Sequence, residues 1–257
     1  MRPYILAESN WQTVKEEETE VAVLPWGATE AHNYHLPYAT DNYQIDAIAA
    51  EAGKIAWEKG IKLKILPNIP FGVNTGQADI KLDINLFPST QLAILSDILQ
   101  VLNRQGIYKF ILLNGHGGNT FKPILRELGL KFPKMLLITT NFFEVVDKYQ
   151  FFEEKGDHAD EMETSLMLHL MPGLVSDLKE AGSGKERKSK ITGIREGWAW
   201  AERQWSMVSE DTGIGNPKKA TKEKGAQFFN AVCNKLAELF VEVSEVEIDK
   251  RYDSTEE

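Results

Sequence analysis

Apolar and polar positions along the chain fall into two alternating rhythms. Four short apolar runs, at residues 21–24, 62–66, 108–113 and 135–140, have the length and β-branched content of buried strands. Between them, apolar residues recur at helical spacing. Ile45, Ile48, Ala49, Ala52, Ile55 and Ala56 share one face, and Gly60 closes that helix. Pro88 and Ser89 open a second helix, which runs to about residue 105 before Gly106. Further helices are predicted at about 120–130, 159–170 and 220–243. Ile80, Leu82, Ile84 and Leu86 alternate with Asp79, Lys81, Asp83 and Asn85, which predicts a half-exposed strand or hairpin arm.

Strand and helix in alternation predict an α/β fold: a three-layer α/β/α sandwich with a mostly parallel central sheet covered on both faces. One domain is expected over residues 1–248, with a polar C-terminal tail at 249–257. The stretch 180–190 (EAGSGKERKSK) is the most linker-like and reads as a mobile loop within that domain.

Composition narrows the function classes. The chain has 257 residues and a net charge of −9, which repels nucleic-acid and anionic membrane surfaces. No run of about 18 apolar residues is present, so no membrane span is expected. The start, MRPYILAESNW, lacks the apolar core of a secretory signal, and a cytoplasmic location is expected. The single cysteine, Cys233, lies in an apolar helical stretch and reads as a core residue.

Candidate chemistry concentrates around the five histidines. The first segment, residues 25–37, holds Glu30, His32 and His35, with Asp41 following. It leaves a predicted strand, where open α/β sheets build their sites, and offers the mixed oxygen and nitrogen donors that suit Zn²⁺, Mn²⁺ or Fe²⁺. An exposed polar loop is the bland alternative. The second segment, Asn114-Gly115-His116-Gly117-Gly118-Asn119, also follows a strand. A phosphate-cradling loop is a competing reading, but neither a following Lys-Ser/Thr nor G-x-G-x-x-G spacing is present, and a central histidine fits a metal ligand better. The third, residues 157–165, holds His158, Asp160, Glu161 and Glu163. Acidic residues at a helix start are favoured by the macrodipole, which accounts for Asp157 and Asp160. It does not account for Glu163, which shares helical spacing with Leu166, Met167 and Leu170 and would be costly to bury unpaired. His169 has no motif around it and reads as structural.

Together the segments resemble the creatininase (creatinine amidohydrolase) family. Its members carry E-x-H-G-P-H-L-P with a following Asp, then N-G-H-G-G-N, then H-A-G-x-x-E-T-S. Here these read Glu30 to Pro37 with Asp41, Asn114 to Asn119, and His158 to Ser165. Thr212 to Pro217, with Ala220, Thr221 and Gly225, resembles the family's G-x-x-G-D/N-P…A-T. The resemblance implies a hydrolase of small-molecule amides with a two-metal site, one or two divalent ions per chain, zinc foremost. Asp41 would bridge, Glu30 and His116 would hold one metal, and His32 the other. It also implies a homo-oligomer, as large as a hexamer.

This chain departs from the pattern at several positions. Creatinine-hydrolysing members place a Glu two residues after the loop histidine, where this chain has Gly118; Glu163 is the best replacement. Asn33-Tyr34 stands for Gly-Pro, Asp160 for Gly, and Glu154 for a Trp four residues before the third-motif histidine. The reaction expected is hydrolysis of a non-peptide or cyclic C–N amide. Catalytic roles fall to Glu163 and to His158, the latter as general acid, and His35 is expected to orient a ligand. A cofactor-pathway formamide substrate and a non-hydrolytic nucleotide-binding module are the alternatives.

Overall fold

The computed structural model describes residues 2–253. Four strands form one sheet: β1 (Val21–Trp26), β2 (Leu63–Ile65), β3 (Lys109–Asn114) and β4 (Leu136–Asn141). Every pairing is parallel and the spatial order is β2-β1-β3-β4. The strands are continuous apolar runs because both of their faces are covered. Val21, Val23, Ile111 and Leu113 project into one core, with α2 (Thr40–Glu58), α5 (Glu161–Leu170) and α8 (Lys222–Glu245). Ala22, Leu24, Trp26, Phe110 and Leu112 project into the other, with α3 (Pro88–Arg104) and α4 (Lys122–Lys131). The layers are therefore α/β/α. Cys233 is fully buried in the first core. Short helices at Trp11–Glu16 (α1), Thr192–Arg195 (α6) and Trp205–Val208 (α7) lie outside these layers.

The helices follow their sequence signals closely. Pro88 sits in the first turn of α3, and Asp160 caps α5 by accepting from the Met162 and Glu163 amides at 2.9 and 3.1 Å. Strand β1 runs two residues beyond the apolar stretch read from sequence. Trp26 is fully buried, packs on Phe121 at 5.1 Å and donates to the Phe71 carbonyl at 2.9 Å, which carries the strand through Pro25.

The alternation at residues 80–86 does not form a strand. Leu82, 71 % accessible, and Ile84 are exposed, whereas Asp83 and Asn85 are half-buried. The segment is a series of turns with an isolated bridge between Gly72 and Asn85, and its hydrogen bonds reach Thr29, Ala31 and Tyr38. Over residues 82–85 the polar groups are the ones drawn inward, for hydrogen bonding, while the apolar groups face out. The stretch 180–190 is irregular and tied at its start, where the Gly182 amide donates to Asn33 Oδ1 and the Gly184 amide to Asp211 Oδ2. Of the tail read at 249–257, residues 254–257 lie outside the described residues. No helix among the described residues is long and apolar enough to cross a membrane.

Strand order reverses between β1 and β3, so the crevice beyond their carboxyl ends is the switch point at which open α/β sheets bind ligands. Trp26 pairs with Asn114 there, and the first two motifs leave the sheet side by side. The third arrives on α5, which packs closely against α8 because Gly225 carries no side chain: a Cβ there would come within 1.9 Å of the Ser165 carbonyl. Gly225→Ala should force α5 and α8 apart and destabilise the fold by about 1–3 kcal/mol, the usual cost of overpacking. Denaturant melts would read this, and an unchanged midpoint would refute it.

Candidate metal centre

Six side chains from four elements meet beyond the strand ends. Glu30 and His32 come from the loop after β1, Asp41 from the first turn of α2, and His116 from the loop after β3. His158 precedes α5 and Glu163 lies in its first turn. All six are buried, with no residue more than 7 % exposed. Distances between them are short. His116 Nδ1 lies 2.9 Å from Glu30 Oε1 and 3.0 Å from Asp41 Oδ2. His32 Nε2 lies 3.2 Å from Asp41 Oδ1 and 3.8 Å from Glu163 Oε1. His158 Nδ1 lies 3.8 Å from Glu30 Oε1.

The far nitrogen of each histidine faces a backbone carbonyl, which can only accept. His32 Nδ1 donates to the Glu30 carbonyl at 3.1 Å, His116 Nε2 to that of Val73 at 3.0 Å, and His158 Nε2 to that of Ala31 at 2.8 Å. Each ring is thereby fixed with its other nitrogen turned toward the carboxylates. The carboxylates are held in the same manner. Glu30 Oε2 accepts from Gln77, and Glu163 Oε2 accepts from the Ala159 amide, leaving each Oε1 to face the cluster. Asp41 Oδ2 is buried with no hydrogen-bond partner.

The electrostatics show what the cluster demands. Burial acts to raise the Glu30 carboxyl, but His116, His158 and His32 outweigh it and hold it well below the usual range. Burial likewise opposes charge on Glu163, yet His32 keeps its carboxyl low. Burial acts to lower His32 and His116, but the surrounding carboxylates raise both well above an ordinary histidine. Buried negative charge is pulling positive charge into the site.

A divalent cation fits this demand better than protons. Glu30, Asp41 and His116 bring three ligand atoms within 4.8 Å of one another, and so do His32, Asp41 and Glu163. Asp41 belongs to both sets, and its orphaned oxygen is the buried polar atom a cation would satisfy. Glu30, His32 and His158 form a third such set. The donors are nitrogen and oxygen with no thiolate, a mixture that suits zinc and manganese. With His116 Nδ1 turned into this cluster, the Gly-rich loop serves it rather than cradling a phosphate.

Gly118 has no room for a side chain. A Cβ there would lie 2.3 Å from the Val73 carbonyl and 2.4 Å from His116 Nε2. The loop lies against the hydrogen bond that orients His116, and the carboxylates facing His32 are those of Asp41 and, from α5, Glu163. Asp160, in place of the motif glycine, caps the turn that bears Glu163 and pairs with Lys148 at 3.2 Å. His35 donates to or accepts from Thr164 Oγ1 at 2.8 Å, tying the first motif to α5, and burial pushes its imidazole down to about 4. Asp157 pairs with Arg203 at 3.0 Å, and the buried Glu161 pairs with Lys224 at 2.5 Å. His169, away from the cluster, packs on Phe229 at 5.4 Å.

Four further residues contribute to the site. Val73 supplies the carbonyl for His116, Gln77 the donor for Glu30, and Asp83 accepts from the Ala31 amide at 2.7 Å. Trp205, on α7, lies over His158 with ring centroids 4.7 Å apart. The polar and aromatic groups of residues 73–77 and 193–205 mark both stretches as substrate-selecting loops in the sequence, which covers Val73, Gln77 and Trp205; Asp83, within the alternation at 80–86, carries no such signal.

Comparison with known proteins places this arrangement in context. The family model for creatininase, described as creatinine amidohydrolase, matches residues 7–240. A creatinine amidohydrolase of Pseudomonas putida is 28% identical over 192 residues, covering 63% of this chain and 71% of that protein. A crystal structure named "Putative creatinine amidohydrolase", from Bacteroides fragilis, is 42% identical with a TM-score of 0.91, covering 96% of this chain and 99% of that one. A structure named "Creatininase Mn" is 21% identical with a TM-score of 0.77, covering 95% and 99%, and shares the fold.

If Gly118 guards the His116 bond, Gly118→Ala should weaken Zn²⁺ binding about 10- to 100-fold while the fold persists, the usual effect of disturbing a ligand's outer contact. Competition against a chromogenic chelator would measure it; unaltered affinity would show the loop to be indifferent to a side chain there.

Proposed function

Because this chain belongs to the creatininase family, whose members are metal-dependent amidohydrolases, we propose that it hydrolyses a non-peptide or cyclic C–N amide bond of a small molecule. The observation that carries the reading is Asp41, a buried carboxylate shared by two ligand sets and left with an unpartnered oxygen. Structural relatives named as manganese and Zn–Zn forms support a divalent ion of that kind, and one named as a complex with creatine supports a small guanidine-like substrate. Glu30, Asp41 and His116 would hold one ion and His32, Asp41 and Glu163 a second. Such an ion supplies Lewis acidity and an activated water at neutral pH.

The chain's own groups do the remaining work. Water adds to the carbonyl carbon, the C–N bond breaks, and the leaving nitrogen needs a proton. With its Nε2–H committed to the Ala31 carbonyl, His158 would take up at Nδ1 the proton that the attacking water releases and pass it to the leaving nitrogen. The Gly117 and Gly118 amides, which have no acceptor among the described residues, are available to the oxygen that gains charge. Burial of all six side chains keeps bulk water away and strengthens each of these interactions. A homo-oligomer in the cytoplasm, acting on such a small molecule, completes the proposal.

Elemental analysis of protein purified without chelator should find one or two equivalents of Zn or Mn per chain. His116→Ala should lower that content and abolish turnover across a panel of creatinine, other cyclic amides and formamides; full activity would sink the assignment. His158→Ala should keep its metal and lose rate by about 10²- to 10⁴-fold, the usual worth of general acid–base catalysis. Loss of metal in that variant would instead make His158 a ligand, using the third set.

A further inference from the structure

The turns at residues 72–86 touch the metal centre three times, through Val73, Gln77 and Asp83. The third contact has a consequence beyond its own bond. Asp83 Oδ1 accepts from the Ala31 amide at 2.7 Å, and the carbonyl of that same residue accepts from His158 Nε2 at 2.8 Å. Ala31 is thus held from both sides, between a carboxylate from the turn and an imidazole from before α5.

The chain is bent out of its ordinary conformation to make this contact. Leu82, immediately before Asp83, has a φ of 65°, in the left-handed region that leucine avoids. With 71 % of its surface exposed, Leu82 gains no compensating burial. The turn is clamped around it: the Tyr38 hydroxyl donates to the Lys81 carbonyl at 2.7 Å, and the Ile84 amide to the Thr29 carbonyl at 3.1 Å. Strain that the surroundings enforce and local packing does not repay is a mark of function. Here its product is the placement of one carboxylate, whose second oxygen is buried without a partner.

We infer that Asp83 is a positioning residue: through the backbone of Ala31 it holds His158 in the single tautomer that leaves Nδ1 facing Glu30. The inference rests on the proposed role of His158 for its catalytic meaning, but not for its geometry. An unanchored Ala31 carbonyl would let the imidazole turn or exchange tautomers, and the nitrogen facing the cluster would no longer be fixed.

The test is a long-range ¹H–¹⁵N spectrum of the histidine rings in the full-length Zn²⁺-loaded protein, with His158 assigned by the signal lost in His158→Gln. Native protein should show His158 as the Nε2–H tautomer alone. In Asp83→Ala its two ring ¹⁵N resonances should move toward each other as tautomers mix, with zinc content unchanged. Asp83→Asn keeps an acceptor for the Ala31 amide and should retain the native pattern. Should Asp83→Ala fail to fold, Asp83→Ser, whose hydroxyl is shorter, gives the same reading. An unmoved His158 signal in the shortened variants overturns the proposal. So does an equal shift in Asp83→Asn, which would make the charge rather than the acceptor responsible. A tautomer change in Asp83→Ala, alongside a His158→Ala variant of undiminished rate, would remove the acid assignment and leave the positioning role standing.

Discussion

Three buried carboxylates within reach of one another set the terms for the rest of this structure. Glu30, Asp41 and Glu163 each forfeit hydration, and their mutual repulsion in a poorly polarisable interior makes the desolvation worse. A fold can carry such a group only by surrounding it with positive charge. The three histidines are arranged to admit that charge rather than provide it permanently. Each spends one N–H on a main-chain carbonyl and offers its remaining nitrogen to the cluster.

The sheet satisfies this constraint by economy of position. Because strand order reverses between β1 and β3, two loops emerge side by side, and neither has to stretch to reach the other. The first supplies Glu30 and His32 and leads straight into α2, whose opening turn adds Asp41. The second supplies His116. Only the α5 residues must be delivered from a separate layer, and the close approach of α5 to α8 at Gly225 sets their depth. Outside the ligands, the turns at 72–86 act as a brace, which explains why so irregular a segment is so thoroughly hydrogen-bonded.

Much of this was readable from residues alone. The strands and long helices followed from apolar runs and spacing, because burial on both faces of a parallel sheet leaves an unmistakable pattern. The ligand-bearing segments were legible because Glu, His and Asp gathered after strands have few structural reasons to be there. The brace was misread because alternation at 80–86 looks the same whether apolar or polar groups face inward, and only the partners of Asp83 and Asn85 decide between them. Gly118 stood out as a departure, but its reason did not: the nearness of the Val73 carbonyl is a fact about a loop 45 residues away. The overlap of Trp205 with His158 was equally hidden, since nothing local distinguishes that Trp from the exposed Trp198 and Trp200.

A ligand set that includes Glu163, as proposed above, bears on how the molecule comes together. With every ligand on the loops of the first half of the chain, the centre could assemble as soon as β1, α2 and β3 had docked. With Glu163 among the ligands, the centre would stay incomplete until a helix from the later part of the sequence has settled against the sheet. A cation bound there joins early and late segments like a clasp, and its binding energy becomes a direct contribution to their docking. Removing it should loosen α5 and the carboxyl-terminal helix α8 that leans on it before the sheet itself gives way, so that the first region to open is the one that arrives last.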